Sequence, residues 1–460
     1  MQKTTLLAVL LMAILIISCD VDSIKEEKKN QIKGEVVNEM HPEWTASSNI
    51  YEVNVRQYTP EGTFAAFDMH IDRLADMGVD ILWFMPISPI GEKNRKKGLG
   101  SYYSVKDYID VNPEFGTAAD FHQIIEHAHE RGMHVIIDWV ANHTAWDHNW
   151  VTEHPDWYQM DEEGILKSPF DWTDVVALNY DNKDLRIEMT KQMEFWIDSF
   201  NIDGFRCDVA SMVPTDFWDS TRAVLNQKKE VFMLAEAEEP ALNKKAFESS
   251  YAWAMHHRMA TVAKDDTTPQ VLINQINDDI AKFGNETYMM QFTTNHDENS
   301  WNGTEFEKMG DAYEIMAALT YVVPGMPLIY NGQESKNAKR LLFFEKDTII
   351  WGEYEMLDFY TNMIKLKKEN KALWNGSYGG DFNVIKNSDQ DNSISFSRKL
   401  GENTIIFIGN FSIEPSDMSY AVYPEELSGD YINWQTKEKV KMGKMYPVYL
   451  EAWQYMILVK

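Results

Sequence analysis

From Ile50 onward, short apolar runs alternate along the chain with amphipathic stretches. Ile50–Gln57 (IYEVNVRQ) alternates apolar and polar positions at period two, the pattern of a strand. Phe64–Met77 carries apolar residues at helical spacing and stops at Gly78, a C-cap residue. Val79–Pro86 (VDILWFMP) reads as a buried strand, Ala118–Arg131 as a helix stopped by Gly132, and Met133–Val140 (MHVIIDWV) as a third strand. A helix follows over Leu185–Phe200, then a strand over Asp203–Asp208 and a helix from Pro214. Further strands fall at Val231–Glu236, Thr287–Thr293 and Gly325–Tyr330. Strand and helix in alternation, without pairing hairpins, argue for a parallel sheet covered by helices.

Spacing narrows the choice of parallel fold. Asp208 and Glu236 end strands 28 residues apart, one βα unit, and Asp297 lies 61 further on, two units. A (β/α)8 barrel of about 250 residues has about 31 residues per unit and carries its chemistry at the C-terminal strand ends. The expected fold class is therefore α/β, a (β/α)8 TIM barrel over residues 45–372. An open doubly wound sheet is the alternative, but no G-x-G-x-x-G follows the first strand. Residues 142–184, rich in His, Trp, Asp and Pro, break the rhythm and read as an insertion subdomain after strand 3. From Trp374 the texture becomes that of antiparallel strands, at Asn403–Asn410, Tyr446–Leu450 and Gln454–Leu458. A C-terminal all-β domain, a β-sandwich, is expected over 373–460.

The first residues are an address. Lys3 precedes an unbroken apolar run, Leu6–Ile17, too short to cross a bilayer comfortably and of the length of a signal-peptide core. Its ending, Ile16-Ile17-Ser18-Cys19, resembles a bacterial lipobox. Residues 1–19 are thus expected to be a lipoprotein signal peptide with Cys19 lipidated, an ordinary signal peptide or short anchor being the alternative. The polar stretch that follows, within residues 20–44, is expected to be a flexible tether. Membrane contact is then through the lipid anchor only, in a bacterial cell envelope, at the outer membrane on its periplasmic or surface face. Of the 2 cysteines only Cys207 would remain, so no disulfide scaffold exists. The net charge of −29 argues against nucleic acid as a partner.

Three carboxylates stand at strand ends: Asp208 in GFRCD, Glu236 in MLAEAEEP and Asp297 in TNHDEN. Asp138, in DWVANH, lies near the end of another strand. In a parallel barrel such ends converge on one face, and two carboxylates about 5–5.5 Å apart suit a retaining glycosidase. Arg206, two residues before Asp208 and on the same strand face, can hold that carboxylate ionised. His143 and His296 can donate to sugar hydroxyls. Bland readings stand beside these. A lone strand-end Asp is often a loop cap, His122, His127 and His129 read as the polar face of a helix, Glu238 and Glu239 as rim charges, and Cys207 as barrel packing.

The segments DWVANH (138–143), GFRCD (204–208), Glu236 within MLAEAEEP and TNHDEN (294–299) resemble, in order and spacing, the four signature regions of the α-amylase family of glycoside hydrolases, family thirteen. The resemblance runs from Ile50 to Leu373, and the sequence style is similar to amylase-family lipoproteins of Bacteroidota. It implies Asp208 as nucleophile, Glu236 as general acid and base, and Asp297 as the group that holds the distorted sugar. It also implies Arg206, His143 and His296 around the reacting glucose and Tyr103 stacked beneath it. The implied function is retaining hydrolysis of α-1,4 bonds in starch or maltodextrin. A same-family transglycosylase, an α-glucosidase or α-1,6-acting enzyme, or a glucan-binding lipoprotein without turnover are the alternatives.

The chain departs from the family pattern where calcium is often held. Val209-Ala-Ser-Met212 follows Asp208 in place of Lys-His, Ala177 stands where an Asp ligand is common, and no Asp/Asn-rich loop follows the first strand. Asn142 alone survives as a metal-ligand candidate, and one oxygen is not a calcium site. No cofactor is expected to be required. The pattern leaves endo or exo action and the oligomeric state open.

Overall fold

The structure, a computed structural model, describes residues 41–418 and 424–460. Eight parallel strands close into a barrel: β1 (Ile50–Val53), β2 (Ile81–Phe84), β3 (His134–Trp139), β4 (Gly204–Cys207), β5 (Phe232–Ala235), β6 (Ser249–Tyr251), β7 (Tyr288–Gln291) and β8 (Met326–Tyr330). Each strand pairs with its sequence neighbours, and β8 returns to β1. This is the expected (β/α)8 fold and excludes the open sheet. The strands are buried on both faces. Ile50, Ile81, Trp83, Ile136, Phe232, Leu234 and Met290 fill the barrel interior, while Val53, Leu82, Val135, Phe205 and Met233 pack outward under the helices. Two-sided burial explains why most barrel strands read as continuous apolar runs.

Three elements differ from the sequence expectation. The first strand ends at Val53 rather than Gln57, because Val55–Tyr58 forms a helical turn capped by Asn54. The helix expected over 64–77 is two helices, Phe64–Asp68 and Ile71–Met77, broken where the His70 ring stacks on Trp351 and meets Tyr58 edge-on. Strand β6, with the sequence Ser-Ser-Tyr, carries no apolar alternation. It is held by barrel pairing and by Ser249 Oγ donating to the Tyr288 carbonyl at 2.7 Å.

The insertion after β3 is a small packed subdomain. Strands His143–Ala145 and Val175–Ala177 pair antiparallel, and Trp150 and Trp157 meet edge to face beneath them. The C-terminal region is a six-stranded antiparallel sheet with a two-stranded ribbon, Ser416–Met418 and Val448–Leu450. One face of that sheet (Phe396, Phe407, Ile457) joins the apolar core that also surrounds the barrel, and the other (Ile406, Ile408, Leu458) packs on the ribbon. At the N-terminal side, Trp44 stacks on His134 at 3.7 Å, so the last residues assigned to the tether belong to the fold. The expected signal peptide and Cys19 lie outside the described residues. Among the described residues no helix is long and apolar enough to cross a membrane.

Candidate active site

Strand register brings the two leading carboxylates level. In β3, β4 and β5, Trp139 pairs with Cys207 and Cys207 with Ala235. The ladder runs one step further, with Asp208 N–H donating to the Trp139 carbonyl (2.9 Å) and Glu236 N–H to the Cys207 carbonyl (3.1 Å). Asp208 and Glu236 therefore leave the sheet side by side at its C-terminal rim. Just past Asp208, Val209 takes a positive φ of 38°, an uncommon conformation for a β-branched residue. There its N–H donates to Glu236 Oε2 at 2.8 Å.

Arg206 is the hub. Its side chain is fully buried, and Nη1 donates to Asp138 Oδ1 and to Asp208 Oδ1, both at 2.9 Å. Nη2 forms an ion pair with Glu236 Oε2 at 2.9 Å, and Nε donates to the Tyr251 hydroxyl at 3.1 Å. The guanidinium also lies over the Trp83 ring, 5.1 Å from its centroid. One buried cation thus faces three carboxylates. Burial pushes Asp138 and Asp208 up to about 6, with Arg206 opposing it. Glu236 rises further, to about 7, through burial and the adjacent negative charge of Asp208 and Asp297, again against Arg206. Burial and unequal neighbours separate the two rim carboxylates by proton affinity, as an acid and nucleophile pair requires.

A second network closes the opposite wall. His296 is buried between Glu52 and Tyr103: Nδ1 meets Glu52 Oε1, and Nε2 lies 2.7 Å from the Tyr103 hydroxyl and 3.4 Å from Asp297 Oδ2. Burial works against charge on this ring, but the Asp297 and Glu52 carboxylates prevail and hold its pKa up at about 9. The Tyr103 hydroxyl donates to Asp138 Oδ2 at 3.0 Å, linking this network to Arg206. His143 is also buried, and burial lowers it to about 4, so it is neutral at pH 7. Its Nε2 lies 3.2 Å from the Tyr103 carbonyl.

A cleft of about 540 Å³ opens above these groups. Tyr103, His143, Asp208, Glu236 and Asp297 line it, and Arg206 and His296 lie directly beneath, so the seven site residues named from the sequence come together. The expectation of Arg206 beside Asp208 matches its geometry, although the same guanidinium also serves Glu236 and Asp138. Sequence reasoning missed Glu52, the partner of His296, and the aromatic walls formed by Trp172, Trp301, Phe343 and Phe344. Glu52 had a visible signal, a charge in the middle of the apolar first strand. The aromatic residues had none, because they reach the cleft from loops and, for Trp301, from the short helical segment Glu298–Asn302, none long enough to show a period.

Asn142 and Ala177, at positions where the family often holds calcium, offer an ion a single side-chain oxygen between them. Asn142 Nδ2 meets His143 Nδ1 at 3.2 Å, which leaves Oδ1 as that oxygen, and its backbone carbonyl accepts from the Leu178 N–H. Ala177 supplies no side-chain oxygen. Among the described residues no group of three or more His, Cys, Asp and Glu side chains could hold a metal ion. Pairing of 143–145 with 175–177 holds this region in place instead.

A sequence model described as the catalytic domain of alpha amylase matches residues 39–175 and 168–353. An alpha-amylase of Haloarcula japonica is 25% identical over 413 residues, covering 85% of this chain but only 59% of that relative. A maltogenic alpha-amylase of Thermotoga neapolitana superposes with a TM-score of 0.82 at 27% identity, over 90% of this chain and 98% of the other. An alpha-amylase of Lactobacillus plantarum gives 0.80 at 27% identity, over 91% and 99%.

Proposed function

This chain belongs to the alpha-amylase family of glycoside hydrolases, and from that premise we propose that it hydrolyses α-1,4 bonds of starch or maltodextrin with retention. The observation that carries the reading is the pair Asp208 and Glu236. They stand level at the barrel rim, share one guanidinium, and differ in proton affinity in the direction the chemistry needs.

In the first step an Asp208 oxygen attacks the anomeric carbon while protonated Glu236 gives its proton to the departing glycosidic oxygen. The carbon–oxygen bond to the leaving sugar breaks and an ester to Asp208 forms. In the second step Glu236, now a carboxylate, takes a proton from water as that water attacks the same carbon and releases Asp208. Two inversions leave the α configuration. Asp297, which lines the same cleft, lies where positive charge on the distorted sugar can be met. Arg206 keeps Asp208 ionised against the cost of burial, and the Tyr103 ring, parallel to Phe343 (9° between planes), offers a face for the glucose.

Proton NMR of the anomeric signals during digestion of maltoheptaose tests this. Shorter maltooligosaccharides appearing first as α-anomers support it, and β-anomers first would refute retention. Longer products would move the reading to transglycosylation. Starch binding without turnover would make the chain a glucan-binding protein.

We also propose that the enzyme is held at a bacterial cell envelope through Cys19, supported by the lipobox-like Ile16–Cys19. Incorporation of labelled palmitate that is lost in Cys19→Ala tests that reading.

A further inference from the structure

At the end of the cleft lined by Phe343 and Phe344, two loops are bonded together. The loop after β2 (residues 86–117) and the loop after β8 (residues 331–356) meet above β1. Leu99 N–H donates to the Phe344 carbonyl at 2.8 Å, and Gly98 N–H donates to Glu345 Oε1 at 3.1 Å. The loop after β8 is in turn bonded to the segment that follows β1. Gln57 Nε2 donates to the Leu342 carbonyl (2.7 Å), Ile349 N–H to the Gln57 carbonyl (3.0 Å), and the Trp351 indole to the Tyr58 carbonyl (2.7 Å). At the flank, Lys96 Nζ pairs with Asp174 of the insertion at 3.3 Å and donates to the Asp171 carbonyl at 3.2 Å. So many bonds from separate loops make a fixed rim rather than a mobile lid.

Barrel order decides what this wall meets. The strand that carries Glu236, β5, stands four places from β1 in either direction around the eight strands, so the wall lies across the cleft from Glu236. In the double displacement proposed above, the departing sugar leaves on the side of the proton donor. The part of the glucan that stays on Asp208, its non-reducing portion, therefore points at the wall.

We propose that the wall made by Gly98–Leu99 and Phe344–Glu345, flanked by the Lys96–Asp174 pair, closes the cleft at the non-reducing end and makes this enzyme exo-acting. It takes an α-glucan by its non-reducing terminus and releases one short maltooligosaccharide of fixed length. A chain bound in mid-length would have to pass through bonded backbone. A terminal glucose, by contrast, carries a free O4 hydroxyl that an internal glucose has spent on its glycosidic bond. Lys96, Asp171 and Asp174 line the cleft and supply the charged donor and acceptors that such a hydroxyl can use. Discrimination then combines an attraction for the end with a steric bar against the middle.

The inference rests on the α-glucan hydrolase reading, and one experiment separates the two. Maltoheptaose carrying a fluorophore at its reducing end is digested either free or with a 4,6-ethylidene cap on its non-reducing glucose. Expected for the free substrate is a single first labelled product, shortened by a constant step. The capped substrate should be cut more slowly by on the order of a hundredfold or more. Equal cutting of both, with a spread of labelled products, overturns exo action and leaves the hydrolase reading standing. No cutting of the free substrate overturns the hydrolase reading and the inference with it.

Discussion

Glu236→Gln separates what this carboxyl does in catalysis from what it costs the fold. Burial, reinforced by Asp208 and Asp297 and opposed by Arg206 and the Val209 N–H, holds its pKa up at about 7 against an ordinary 4.5. The unfolded chain releases this proton near 4.5 and the folded chain near 7. Between those values the folded state binds more protons, so the group's contribution to stability is full below pH 4.5, declines as pH rises to 7, and is flat above. Each pH unit of tighter proton binding corresponds to about 1.4 kcal/mol, so the whole decline amounts to about 3 kcal/mol. Glutamine does not titrate, yet it can keep the contacts. Its carbonyl oxygen can accept from the Val209 N–H as Oε2 does and stay beside the Arg206 guanidinium, and its amide offers Asp208 the donor that the protonated acid offers. The variant is therefore expected to match the wild type near pH 4.5 and to exceed it by about 3 kcal/mol at pH 8. For a fold of roughly 400 residues that is about 3–4 °C in Tm. Urea unfolding followed by tryptophan fluorescence at both pH values measures it. Turnover of glucans should be lost, while substrates with leaving groups that need no proton retain activity. A stability difference that is the same at both pH values would refute the assigned cause.

Asp208→Asn should abolish turnover and leave starch affinity within a few-fold, as affinity electrophoresis can show; retained turnover would remove Asp208 from the nucleophile role. The profile of kcat/KM against pH should be a narrow bell, its acid limb set by ionisation of Asp208 near 6 and its alkaline limb by loss of the Glu236 proton near 7, with the two values belonging to the coupled pair. Trp301, half exposed in the cleft wall, should contribute through stacking, so Trp301→Ala should raise KM for maltooligosaccharides about fivefold, the equivalent of about 1 kcal/mol. Because Asn142 and Ala177 offer an ion a single side-chain oxygen, dialysis against EDTA should leave the rate unchanged, and a loss restored by calcium would show that a fuller set of oxygens holds the ion.

Much of the barrel was legible because its signals are local. Gly78 closes the helix before β2 with φ 97°, and Leu185–Phe200 carries apolar residues at the helical spacing of the helix Lys183–Phe200. The same locality explains the misses. Ser249–Tyr251 is a strand only because β5 and β7 flank it, and the break at His70 follows from Trp351, which arrives from nearly three hundred residues away. The site divides in the same way. Arg206 and Asp208 share a strand face at a separation of two, so their pairing could be read directly, whereas Glu52 and His296 are joined only by barrel closure.

By itself, then, the sequence determined most of the order of strands and helices and set its carboxylates at strand ends, since periodicity and chain spacing act over a few residues. The tertiary structure alone decided that Asp138, Asp208 and Glu236 share one guanidinium, and so which of them binds a proton most tightly. It alone set the loops after β2 and β8 together across β1. Proton affinity and cleft shape depend on burial and on distances between groups remote in the chain, and those distances come into being only when the barrel closes.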